Sequence, residues 1–179
     1  MQTKLVILDR DGTINRASDQ FVKSPEEWEP LPGALEAIGR LNHAGYHVVL
    51  ASNQSGLGRG LLDMAALNAV HDTMTKALAR VGARVDAIFY CPHAADEACH
   101  CRKPEPGMIL RAAREHGLSL AHSFMVGDKP SDIEAARAAG VGRAYIVQSD
   151  NEESTDGLAG ADAAYADLAA CVDALLKSA

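Results

Sequence analysis

Aromatic residues are scarce in this chain of 179 residues: one Trp, four Tyr and three Phe, 4% in all. A stacking platform for single-stranded nucleic acid draws on exposed rings, so that partner is disfavoured. Positive charge is in deficit too, with 17 Lys and Arg against 24 Asp and Glu and a formal net charge of -7. Neutralising a duplex backbone takes a cationic surplus, which argues against a nucleic-acid partner. Long apolar runs are missing. The first, after Lys4, is interrupted at once by Asp9, Arg10 and Asp11, so neither a signal peptide nor a spanning helix is expected. A polybasic amphipathic face for membrane docking is also lacking. A cytoplasmic protein with no nucleic-acid or membrane partner is expected, and by elimination a small-molecule enzyme.

What is present is ordinary globular composition, 47% hydrophobic and 23% charged. One domain over 1–179 is expected, because a chain of this size buries enough surface to fold without disulfides. Short apolar runs recur at Lys4 to Leu8, His47 to Ala51, Val85 to Tyr90, Ser123 to Val126 and Arg143 to Val147. Helical stretches separate them, punctuated by Pro or Asp at their starts and Gly past their ends: 33–44, 63–81, 108–116, 132–139 and about 167–176. The alternation predicts an α/β fold around a parallel sheet, with ligands outside the carboxyl ends of its strands. The polar stretch from Ser149 to Gly160 reads as a surface loop.

Chemistry-bearing residues fall at those strand ends. After the first run comes Asp9-Arg10-Asp11-Gly12-Thr13. Two carboxylates so spaced suit a nucleophile and a general acid or base, with a divalent cation screening their repulsion. After the second, Ser52-Asn53-Gln54-Ser55-Gly56-Leu57-Gly58-Arg59-Gly60 offers hydroxyls, amides and free backbone N–H groups to a phosphate. After the third, Cys91-Pro92-His93 and Cys99-His100-Cys101 place soft ligands in eleven positions. Cys91, His93, Cys99 and Cys101 fit a closed, structural zinc site, with His100 directed away. Cys171 sits apart in an apolar stretch. Arg102 and Lys103 follow the cysteine loop directly and supply a bidentate and a point contact to phosphate. After the fourth run, Gly127-Asp128-Lys129-Pro130-Ser131-Asp132 adds two carboxylates. Asp128 suits a magnesium ligand, whereas a cap or outer position suits Asp132 in the first turn of a helix.

Taken in order, Asp9-X-Asp11-Gly12-Thr13, Ser52, Lys103 and Gly127-Asp128-X-X-X-Asp132 resemble the haloacid dehalogenase superfamily of phosphotransferases over nearly the whole chain. The resemblance implies a three-layer Rossmann-like parallel sheet with helices on both faces, no large cap domain, and a zinc-bound loop. It implies that Asp9 is the nucleophile and Asp11 the acid and base. Magnesium would be held by Asp9, the backbone carbonyl of Asp11, and Asp128. Ser52, Asn53 and Lys103 would stabilise the phosphate, while Gln54, Ser55, Arg59, Arg102 and Lys129 would bind the substrate. Family members commonly carry Thr where this chain has Ser52, which keeps the hydroxyl. Substrate contacts within Asn15 to Val22 match the family poorly.

The cysteine loop is similar to the branch acting on the 7-phosphate of D-glycero-D-manno-heptose 1,7-bisphosphate and on histidinol phosphate. Asn53-Gln54-Ser55-Gly56, Arg59-Gly60 and Gly127-Asp128-Lys129 favour the heptose, with histidinol phosphate the alternative. The short span from His93 to Cys99 suits either. The expectation is a monomeric phosphatase of a small phosphorylated sugar, feeding ADP-heptose synthesis for lipopolysaccharide. A non-catalytic zinc-stapled binding module and a phosphomutase or transferase are the other readings.

Overall fold

The computed structural model describes residues 4–148 and 158–178. Of the loop expected between Ser149 and Gly160, positions 149–157 lie outside the described residues. Six strands, β1 (Leu5–Leu8), β2 (His47–Asn53), β3 (Ala87–Cys91), β4 (Phe124–Gly127), β5 (Arg143–Val147) and β6 (Ala163–Tyr165), form one sheet in the order 3-2-1-4-5-6. Every pairing is parallel. The helices are α1 (Ala34–His43), α2 (Ser55–Gly58), α3 (Met64–Arg80), α4 (Gly107–His116), α5 (Pro130–Ala139) and α6 (Leu168–Lys177).

The sheet is covered on both faces, which is why its strands read as continuous apolar runs. In β1, Val6 and Leu8 face the core that contains Leu35, Ile38 and Leu41 of α1, Val70 and Met74 of α3, and Val172 of α6. Leu5 and Ile7 face the other core, built on Met108 and Ile109 of α4 and Ile133 and Ala136 of α5. Cys171, buried in the first core, is a packing residue whose thiol burial pushes up to about 12. Two helices start on the expected acids: Asp63 accepts from Ala66 N–H and Asp167 from Ala170 N–H, both at 2.8 Å.

Two of the boundary shifts have local reasons. β2 runs on through Ser52 and Asn53, which pair with Tyr90 and Cys91 of β3. β3 begins two residues later than Val85, because Asp86 caps its start by accepting from Val48 N–H at 2.9 Å. β6 and α2 carry too little apolar contrast to be read from sequence. The chain leaves β1 for its neighbour β2 on one side and later returns to pair β4 on the other. That reversal opens a crevice at the carboxyl ends of β1 and β4, where Asp9 and Asp128 follow their strands.

Candidate active site

Asp9 and Asp128 reach the crevice because each directly follows a strand whose last three residues are buried. The carboxylates of Asp9, Asp128 and Asp132 bring one oxygen each within 4.8 Å of one another. Three buried anions so close repel, and Lys103 answers them. Its side chain is 2% exposed, and its Nζ lies 2.8 Å from Asp9 Oδ1 and 2.7 Å from Asp132 Oδ1 and also donates to Ala51 O at 2.6 Å. Burial opposes the ammonium charge, but Asp132 and Asp9 overcome it and hold the Lys103 pKa above its ordinary value. One cation does not balance three anions. Burial, and then the charge of Asp9, push the Asp128 carboxyl up to about 9, and Asp128 Oδ1 is buried without a hydrogen-bond partner. An orphaned oxygen in a crowd of carboxylates fits a hard divalent cation. Gly12 makes room for it: at φ +86°, a Cβ there would stand 2.1 Å from Asp128 Oδ2.

Asp132, given a cap or outer role by sequence, caps the start of α5, and its carboxylate also joins the cluster of Asp9 and Asp128. Its Oδ2 accepts from the main-chain N–H groups of Asp128 and Lys129 at 3.1 Å, while Oδ1 meets Lys103. Burial pushes this carboxyl up, followed by the charge of Asp9.

Asp11 is turned away from that cluster. Its Oδ1 accepts from Arg10 Nε at 3.0 Å, Arg10 Nη2 at 2.9 Å and Asn15 Nδ2 at 2.9 Å, and Oδ2 from Gln54 Nε2 at 3.3 Å. Asp11 nevertheless lines the crevice, a cavity of about 410 Å³ shared with Asp9, Asn53, Ser55, Arg102, Lys103 and Lys129. The structure thus brings most expected substrate contacts to one pocket. Gln54 stands behind that pocket: it is buried, and it ties Asp11 to Ser52 Oγ at 2.6 Å. Asn53 clamps the Lys103 backbone, its Oδ1 accepting from Lys103 N–H at 3.0 Å and its Nδ2 donating to Lys103 O at 3.1 Å. Arg59 stacks on the Phe21 ring, 5.8 Å from its centroid, at the margin of the pocket. Ala17, Ser18, Asp19, Phe21 and Val22 supply the facing wall, in the segment whose contacts sequence left open.

The cysteine loop closes as its spacing predicts. Ligand atoms of Cys91, His93, Cys99 and Cys101 all lie within 4.8 Å of one another, with His93 Nδ1 3.3 Å from the sulfurs of both Cys91 and Cys101. Three soft sulfurs and one imidazole nitrogen suit zinc. Burial pushes the Cys91 thiol up to about 12, whereas the Arg102 backbone brings Cys99 down to about 7. His100 is exposed and outside the cluster, as expected.

Two buried side chains behind the site escaped the sequence reading. Arg10, fully buried, is the partner of Asp11, and His71 on α3 meets Arg10 Nη1 through Nε2 at 3.0 Å. A signal existed for His71, which shares the apolar face of α3 with Leu67, Val70, Met74 and Leu78.

Comparison with known proteins agrees with this geometry. Residues 100–172 match the HAD-hydrolase-like family model. The chain is 52% identical over 179 residues to the D-glycero-beta-D-manno-heptose-1,7-bisphosphate 7-phosphatase of Bordetella bronchiseptica, covering 98% of this chain and 99% of that protein. The Pseudomonas aeruginosa protein of the same name is 42% identical, with 99% and 100% covered. The crystal structure of the B. bronchiseptica D,D-heptose 1,7-bisphosphate phosphatase, complexed with magnesium and phosphate, superposes with a TM-score of 0.94 over 99% of this chain and 100% of that one. The Asp9 cluster, the cysteine loop and these relatives point the same way: the chain belongs to the haloacid dehalogenase-like hydrolases, in the family of the D-glycero-beta-D-manno-heptose-1,7-bisphosphate 7-phosphatases.

Proposed function

We propose that this chain is a magnesium-dependent phosphatase that removes the 7-phosphate of D-glycero-β-D-manno-heptose 1,7-bisphosphate. The observation that carries the reading is Lys103 Nζ bridging Asp9 and Asp132 in a buried carboxylate cluster at the strand-order reversal. The names of the relatives favour the β anomer of the heptose.

Asp9 attacks phosphorus in line, forming the aspartyl–phosphate bond as the bond to the sugar oxygen breaks. Asp11 gives that oxygen its proton, and then takes one from the water that hydrolyses the aspartyl-phosphate. Lys103 and Ser52 meet the equatorial oxygens, where transition-state charge is spread. Asp9, the main-chain carbonyl of Asp11, and Asp128 hold magnesium, which supplies neutralisation of phosphate charge. Ser55, Arg102 and Lys129 line the pocket that receives the sugar bisphosphate, with Arg59 at its rim. Cys91, His93, Cys99 and Cys101 would hold zinc as a structural ion, since four protein ligands leave no place for a reacting water. The protein acts as one domain, a monomer in the cytoplasm, upstream of ADP-heptose for lipopolysaccharide. Among the described residues, no helix is long and apolar enough to cross a membrane.

Replacing Asp9 by Asn keeps size and removes the nucleophilic oxygen. The Asp9→Asn variant is expected to lose turnover by at least about 10³-fold, and wild-type activity would sink the reading. A panel of α and β heptose bisphosphates and histidinol phosphate, compared by kcat/KM, decides the substrate.

A further inference from the structure

Arg10 is among the largest fully buried side chains of the protein, and in the chain it stands between Asp9 and Asp11. A guanidinium only donates hydrogen bonds and does not deprotonate in proteins. Since its Nη1 lies 3.0 Å from His71 Nε2, that nitrogen is the acceptor, and the imidazole is neutral with its proton on Nδ1. Burial, and then the charge of Arg10, favour that neutral form by bringing the His71 pKa down to about 4. With Nη1 anchored on α3, Nε and Nη2 both aim at Asp11 Oδ1, and Asn15 adds a third donor. That oxygen is saturated. The other, Oδ2, has one long contact, 3.3 Å to Gln54, and belongs to a side chain that lines the pocket.

We propose that His71 is a positioning residue which, through Arg10, divides the labour of the Asp11 carboxylate: Oδ1 is the anchored oxygen and Oδ2 the one that carries the proton. The inference rests on the acid and base role of Asp11 given above. On breakage of the sugar–phosphate bond, the proton leaves Asp11 Oδ2 for the sugar oxygen, and Oδ2 later receives one from the attacking water. Oδ1, with three donors upon it, exchanges none. Neither Arg10 nor His71 touches the reacting atoms. They hold Oδ2 in place, and a misplacement of about 1 Å costs about 10²-fold in rate.

The test is steady-state kinetics on the heptose bisphosphate with inorganic phosphate as competitive inhibitor. His71→Leu removes the acceptor, and kcat is expected to fall about 10²-fold while KM and the phosphate inhibition constant stay within about twofold. His71→Gln presents an amide oxygen to Arg10 and is expected to recover most of the lost kcat. Arg10→Lys keeps the charge but loses the fork, and should show the same selective loss of kcat; it serves if His71→Leu does not fold. Wild-type kcat in folded His71→Leu or Arg10→Lys overturns the proposal. Equal loss of kcat and phosphate binding overturns it too, as does failure of a folded His71→Gln to recover. Asp11→Asn is measured beside them: if it is inactive while the others turn over normally, only the positioning inference fails, whereas an active Asp11→Asn removes the acid and base reading itself.

Discussion

Lys103 offsets two buried carboxylates at once. Removing one member of a buried charge group leaves the others unpaired, which costs about 3–5 kcal/mol. Lys103→Met should therefore both abolish turnover and lower the melting temperature, read by calorimetry without magnesium. If Lys103→Met melts like the wild type, the bridging geometry is wrong. The residue types at this site were legible in sequence, because Asp9, Asp11, Lys103 and Asp128 stand beside Gly, Pro and short apolar runs that mark strand ends. Their partners were not. Asn53, expected to touch phosphate, lines the pocket and also clamps the Lys103 backbone, and Gln54, expected to touch substrate, joins Asp11 to Ser52. An amide serves equally in either role, so its identity says nothing of which way it points.

The cysteine loop shows what one element contributes to another. It leaves β3 at Cys91, approaches α2 so closely that a Cβ on Gly58 would stand 2.7 Å from Pro92 O, and returns at Cys101. Arg102 and Lys103 follow at once, so the loop determines where both cations enter the pocket. The apolar contacts of Cys99 and Cys101 with the α4–α5 core are peripheral, and a loop with so little core of its own would draw order from a metal held by the Cys91, His93, Cys99 and Cys101 cluster. Stripping zinc with a chelator is expected to raise KM for the bisphosphate and lower the melting temperature, with recovery on adding zinc back. Unchanged KM and stability in the metal-free protein, verified by elemental analysis, would show that the ligand cluster does not shape the pocket. Cys-X-His and Cys-X-Cys made the cluster readable, because soft ligands so close in sequence meet in space almost unavoidably. β6, only three residues long, gave no such signal and owes its strand state to pairing with β5.

At the scale of the whole molecule, His71 links stability to pH. Unfolded, its imidazole takes a proton near 6.5; folded, burial and then Arg10 delay that to about 4. Below 6.5 the unfolded chain thus binds the extra proton, so the stability His71 confers is fully present above 6.5 and drains away as pH falls toward 4. Urea melts of the wild type and His71→Gln should differ in slope across that window and run parallel above it. Parallel curves throughout would mean that the folded imidazole is not held neutral.

The sequence by itself determined the alternation of strands and helices, the two-sided burial of the sheet, and which residues carry charge or soft ligands at strand ends. These are local properties: period, turn chemistry and ligand spacing act over a few residues. The tertiary structure alone decided that Arg10 and His71, 61 positions apart, share a hydrogen bond, and that Lys103, 94 positions from Asp9, bridges it to Asp132. Such contacts depend on strand order and on the direction each side chain takes once both faces of the sheet are covered. The order 3-2-1-4-5-6 sets β1 between β2 and β4, and only that arrangement gathers motifs from four strand ends into one pocket.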